Sequence, residues 1–245
     1  MRRVTSRRSS RAALLAACLL TGCSSVVPGS PSAAKTAFAV LPTEDQISTA
    51  VGNRLSTFDF EPFIGGAEIL PDGYRTDADA SPLACVAVTD TAPRVVYEAL
   101  PVVEAARQSY FNWNPGAKTT GADAAVIRLA SAEDAQRTFD DFARQWQECD
   151  GTSVVKHLRG VTDAEVDAAV SDVQVTGSVL VAAVDTAQRP QAAVTSGAVA
   201  LERAVGVRRD TIVEVSLALS PGAGRSADPG RSAAAVATAM LDKVR

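Results

Sequence analysis

Side chains able to do chemistry are sparse in this chain of 245 residues. There are four cysteines, at positions 18, 23, 85 and 149, and a single histidine, His157. A Ser-His-Asp triad would need His157 as its base. That histidine sits in "VVKHLRG", whose alternating polarity reads as a surface or edge strand, and no G-x-S-x-G elbow occurs. Carboxylate pairs for glycoside chemistry could come from Asp140 with Asp141, or from Asp163, Glu165 and Asp167. Both groups read better as solvated helix face or loop. Asp77, Asp79 and Asp90 lie in or beside an Asp/Gly-rich stretch that lacks the regular spacing of a calcium loop. No catalytic set, metal site or cofactor is predicted.

One cluster suggests binding instead of catalysis. Aromatic residues make up only 5% of the chain, yet Tyr110, Phe111 and Trp113 crowd into "QSYFNWNPG" beside Asn112 and Asn114. Tyr110, Phe111, Asn112 and Trp113 are candidate lining residues of a cleft for an apolar or sugar-like ligand. Packing of a strand end against a sheet accounts for the same cluster.

The N-terminal segment carries an address. Arg2, Arg3, Arg7, Arg8 and Arg11 precede the apolar run Ala12 to Leu20, which is followed by Thr21-Gly22-Cys23. A basic start, a short apolar run and small residues before a cut are the parts of a secretory signal. A membrane-spanning helix would need roughly 20 apolar residues. Leu20-Thr21-Gly22-Cys23 resembles a bacterial lipobox, in which the cysteine is lipidated and the chain is cut just before it. Residues 1–22 are then a lipoprotein signal peptide, and Cys23 becomes the acylated first residue, with two or three chains giving stable anchoring. Residues 23–40, rich in Ser, Pro and Gly, read as a flexible tether. The expected place is the outer face of the cytoplasmic membrane.

Losing those five arginines leaves 19 basic residues against 28 acidic ones, a net charge of −9. Such a body lacks the clustered cations that displace phosphate counterions, so nucleic acid is excluded as a partner. With Cys18 discarded and Cys23 acylated, Cys85 and Cys149 remain, and an even pair in an oxidising compartment is most simply a disulfide. A catalytic Cys-His pair is the formal alternative, without any flanking motif for it.

Residues 41–245 must form the folded body. Thr43 with Gln46 fits a capping box, and Ile47, Val51 and Leu55 supply one apolar face. Residues 56–83 read as a long loop whose Phe58, Phe60, Phe63 and Ile64 partly pack down. "ACVAVTD" (84–90) and "AAVIRLA" (124–130) read as strands. Ser131 and Asp134 open a helix with Ala135, Phe139, Phe142 and Trp146 on one stripe, closing at Gly151. Further strands are expected at 152–158, 169–176 and 178–184, and a hairpin over 194–219 turning near Arg208-Arg209-Asp210. Asp228 and Pro229 suit the N-cap and first residue of a last helix with Val236, Met240 and Val244 on its stripe. Strands outnumber helices without β-α-β alternation. The predicted class is therefore α+β, a single domain with an antiparallel sheet, packed helices and one disulfide.

The order of these pieces is specific. An opening "LPTEDQI" helix and a cysteine are followed by "VIRLASAEDAQRTFDDFARQWQECDG", then "ALERAVGVRRDTIVEVSLAL", then a helix ending "LDKVR". This resembles the PknH-like extracellular domain, the external sensor of an actinobacterial receptor Ser/Thr kinase that recurs alone in lipid-anchored envelope proteins. Its sharpest motif is W-x-x-C-x-G, here Trp146, Cys149 and Gly151. The resemblance implies an antiparallel sheet flanked by helices, a ligand cleft, and a bridge from Cys149 to an upstream cysteine, here Cys85. Members commonly have a second bridge to the final strand region, and neither of its positions is cysteine here. The late hairpin must then hold by packing and pairing alone.

Together these readings predict a non-catalytic, lipid-anchored envelope protein of the free-standing form, with a sensor-like domain that binds an unknown small ligand or envelope protein. The alternatives are an envelope hydrolase or transferase acting on lipid or glycan, and a pure docking module.

Overall fold

A computed structural model describes residues 36–158, 164–189, 199–224 and 232–245. Cys18, Cys23, Asp163, Asp228 and Pro229 lie outside the described residues. In chain order the elements are helices α1 (Ala37–Val40) and α2 (Glu44–Val51), strands β1 (Phe63–Gly65) and β2 (Ala80–Ser81), and short helices α3 (Val86–Thr89) and α4 (Arg94–Tyr97). Strands β3 (Val102–Phe111) and β4 (Thr119–Leu129) precede the long helix α5 (Ala132–Cys149). Strands β5 (Ser153–His157), β6 (Glu165–Thr176), β7 (Val179–Arg189), β8 (Val199–Arg208) and β9 (Thr211–Leu219) follow, then α6 (Ala233–Leu241).

Among the described residues the strands form one nine-stranded sheet in the order β1-β3-β4-β9-β8-β7-β6-β5-β2. Every pairing is antiparallel. This is the α+β class expected from the sequence. Helices cover both faces. On one, α5, α3 and α4 bury Phe139, Phe142, Trp146 and Tyr97 against Ile127, Val205 and Ile212. On the other, α1, α2 and α6 bury Val40, Ile47, Val236 and Met240 against Ala106, Val126 and Val215. Adjacent residues of one strand thus belong to different cores, because successive side chains point to opposite faces. The contact between α6 and the sheet is close: a Cβ on Gly206 would meet Leu241 Cδ1 at 2.8 Å.

The local signals for α2 and α5 hold. Thr43 and Gln46 form a reciprocal capping box, Gly52 closes α2 in the left-handed region, and Ser131 accepts from the Asp134 amide. The hairpin of β8 and β9 turns at Arg209 and Asp210 as expected, with Arg208 opposite Thr211.

Four expectations shift. Residues 84–90 are not a strand but a 3-10 turn over Leu83–Cys85 running into α3. Val86 and Val88 favour a strand locally, but tertiary contacts to the helix carbonyls, described below, override that preference. Residues 56–83 contain the short edge strands β1 and β2, since both ends of this stretch meet an open strand. Ala37–Val40, within the tether by composition, form a packed helical turn capped by Thr36, with Ala37 and Val40 buried. The last helix is capped by Ser232, whose hydroxyl accepts from the Ala235 amide. Among the described residues no helix is long and apolar enough to cross a membrane.

Candidate functional site

A hollow of about 690 Å³ lies between α1, the start of α2, the loop 57–62 and strand β3. Alternation along β3 sends Gln108 and Tyr110 to this face. Tyr110 is buried and its hydroxyl donates to the Pro42 carbonyl at 2.5 Å. Burial, helped by the charge of Glu44, pushes its phenol well above the ordinary value. Lys243 also lines the groove, and its Nζ donates to the Leu41 carbonyl at 2.6 Å.

Glu44, the first residue of α2, builds the opposite lip. Its Oε1 accepts from the Thr57 amide (2.6 Å), the Thr57 hydroxyl (2.8 Å) and the Ser56 hydroxyl (2.9 Å). These donors, the Thr57 amide foremost, hold its carboxyl below the ordinary value of 4.5. The turn so pinned contains two successive non-glycine residues at positive φ, Phe58 at 50° and Asp59 at 62°. Backbone strain of about 1–3 kcal/mol per residue persists only where the surroundings enforce it, and it concentrates at clamps for ligands. Here it aims Asp59 and Phe60 at the groove. The groove is therefore walled by Phe38, Pro42, Phe60 and Tyr110, with the carboxylates of Glu44, Asp59 and Glu61 outnumbering the ammonium of Lys243.

The four aromatic-cluster residues separate. Tyr110 lines the groove. Asn112 is structural: it donates to the Arg54 carbonyl at 2.7 Å and accepts from the Asn114 amide at 2.9 Å. Phe111 alternates away from Tyr110 and meets Phe60 edge-on at 6.1 Å. Trp113 is 68% exposed and stacks on Phe58 at 4.2 Å between ring centroids. Sequence order placed these aromatics together, while the loop aromatics Phe58 and Phe60, some fifty residues upstream, complete the cluster.

Other candidate groups are tied up in the fold. His157 is exposed on β5, 3.2 Å from Glu165. Asp140 and Asp141 lie on the exposed face of α5, where Asp140 accepts from Gln136 and Asp141 pairs with Arg144. Asp77 accepts from the Leu83 amide, Asp79 from Thr76, and Asp90 pairs with Lys156 at 2.6 Å. Among the described residues no group of three or more His, Cys, Asp or Glu could hold a metal ion.

Sequence reading missed a buried polar knot on the other face. The expected disulfide between Cys85 and Cys149 is formed, tying the start of α3 to the end of α5. Below that bridge, Arg203 of β8 donates to the carbonyls of Ala87 (3.3 Å), Val88 (3.0 Å) and Asp90 (2.6 Å). A four-residue helix leaves its carbonyls without partners, and this guanidinium supplies them. Arg203 also pairs with Glu214 of β9, whose carboxylate accepts from the Tyr97 hydroxyl and the Ala92 amide. Burial and the Glu214 charge push the Tyr97 phenol well above its ordinary value. A signal existed. The turn at 208–210 sets Val205 opposite Glu214 and Arg203 opposite Ser216, placing two opposite charges diagonally inside apolar strands.

Comparisons with known proteins agree with this architecture. A comparison with curated proteins finds no match. Among solved structures, the crystal structure of the extracellular domain of PknH from Mycobacterium tuberculosis superposes with a TM-score of 0.65 at 14% identity, covering 84% of this chain and 93% of that one. At that identity the likeness shows the fold. The sequence model of the PknH-like extracellular domain matches residues 32–243. The chain belongs to the PknH-like extracellular domain family.

Proposed function

We propose that this is an exported, lipid-anchored, non-catalytic protein whose sensor-like domain binds a small amphipathic ligand in the groove between α1, α2 and β3. The observation that supports this reading most is the turn at Phe58 and Asp59, held in a strained conformation by Glu44 and directed at the groove. Apolar walls suit an apolar body, and the excess of carboxylates disfavours an anionic end, so the polar end of the ligand is neutral or cationic. The lipobox-like Leu20-Thr21-Gly22-Cys23 supports the anchor, and the family's name supports export.

Native mass spectrometry of protein purified from its own host tests the ligand. A bound mass is expected in the native chain and lost in Ala39→Trp, which fills the groove from an exposed position of α1. An adduct that persists in Ala39→Trp places binding elsewhere, and a chain without any adduct favours the docking module. Substituting Cys23 by Ala tests the anchor by releasing the protein from the membrane fraction.

A further inference from the structure

Large apolar side chains face solvent at the groove, where Phe38 and Phe60 line it, and beside it, where Phe58 stacks on Trp113. Phe38 is 51% exposed on α1; Phe58 and Phe60 are 44% and 59% exposed on the loop, beside Trp113. Phe63 and Ile64, exposed on edge strand β1, follow three residues after Phe60. In a chain with only 5% aromatic residues this concentration is not chance surface, and contiguous exposed apolar patches mark interaction sites.

The sequence before the patch suggests what covers it. The described chain begins at Thr36, two residues from Phe38. The lipobox cysteine lies 13 residues earlier, and that length extended reaches at most about 45 Å. An anchor so near, joining the body beside the aromatic rim, keeps a bilayer within reach of it. Tryptophan and other aromatic rings partition to the interface between headgroups and acyl chains. The body's acidity gives no electrostatic route to an anionic surface, so insertion of apolar area is the driving force that remains.

We propose that Phe38, Phe58, Phe60 and Trp113 insert into the interfacial layer of the membrane that holds the anchor, so that the groove opens onto lipid. This inference rests on the lipid-anchor reading for its geometry, and its test bypasses acylation. Residues before the compact unit, Ala34–Arg245, are replaced by a hexahistidine tag and a flexible spacer of equal length. The protein is captured on phosphatidylcholine vesicles containing a nickel-chelating lipid. The chain has two tryptophans, and Trp146 is fully buried, so the signal lost in Trp113→Phe is that of Trp113. On vesicles, acrylamide quenching of that signal should fall about threefold and dibrominated lipid should quench it. Both effects should survive about 0.5 M salt, where surface charge is screened. Unchanged acrylamide access on vesicles overturns the proposal. So does the same protection arising in solution with rising protein concentration, which would make a second copy the occupant. A chain carrying Cys23→Ala together with Phe60→Ser and Trp113→Ser that stays in the membrane fraction would strike the anchor reading alone.

Discussion

Arg203 and Glu214 meet at 2.8 Å with neither side chain reaching solvent. One comes from β8 and the other from β9, and together they grip both short helices that carry the chain from Cys85 to Tyr97. The guanidinium caps the carbonyls of α3, and the carboxylate takes the Tyr97 hydroxyl at the end of α4. Cys85 and Cys149 are the only cysteines after residue 23, so no disulfide reaches the late hairpin, and this knot ties it to the α3–α4 segment by hydrogen bonds.

Removing one partner should therefore cost far more than removing a peripheral donor. Glu214→Gln leaves a buried guanidinium without its counter-charge and should destabilise by about 3–5 kcal/mol. Tyr97→Phe removes one hydroxyl donor and should cost about 1–3 kcal/mol. Denaturant midpoints of the two variants decide the matter. If Glu214→Gln is the milder change, the ion pair is not the centre of the knot.

The disulfide acts on the same segment from its other end. Its loop spans 64 residues, so opening it by Cys85→Ala with Cys149→Ala should lower stability by about 4 kcal/mol. Hydrogen exchange should speed up most over α3 and α4, because the Arg203–Glu214 knot then holds them without the bridge. Uniform acceleration across the sheet would show that the bridge acts only through the unfolded chain.

How much of this could be read beforehand depends on where the instructions lie. α2 and α5 announce themselves because capping and the apolar stripe are local, as at Thr43 with Gln46 and at Phe139, Phe142 and Trp146. Strand β3 was hidden because helices cover both faces of the sheet. Ala105 and Ala106 are both buried, so the alternation that marks a half-exposed strand vanishes there. α3 was misread because its shape is imposed by Arg203, more than a hundred residues away. The groove was legible only at Tyr110. Its other lip depends on a hydrogen-bonding pattern around Glu44 that composition does not encode.

That pattern makes the groove sensitive to acid. Because the folded carboxyl of Glu44 has the lower pKa, its ionised form favours the pinned turn above the ordinary value of 4.5. The contribution is lost as pH falls through the folded value. Below that window the Ser56 and Thr57 donors lose their acceptor, and the stack of Phe58 on Trp113 should loosen. The change in Trp113 emission on acidification should disappear in Glu44→Gln. A transition that survives in Glu44→Gln would assign it to another group.

Asp59 separates stability from binding. Its φ of 62° lies in the left-handed region, which glycine adopts without the side-chain penalty. Asp59→Gly relieves that penalty but loosens the unfolded chain, so the net effect on stability should range from neutral to about 1 kcal/mol favourable. The same change removes a carboxylate from the groove and frees the turn that aims Phe60. The expected outcome is a domain at least as stable as the native one that retains less of the mass detected by native mass spectrometry. Thermal unfolding and adduct occupancy, measured on one preparation, give both numbers. If Asp59→Gly loses stability by more than about 1 kcal/mol, the turn is a structural requirement of the fold and its strain says nothing about a ligand.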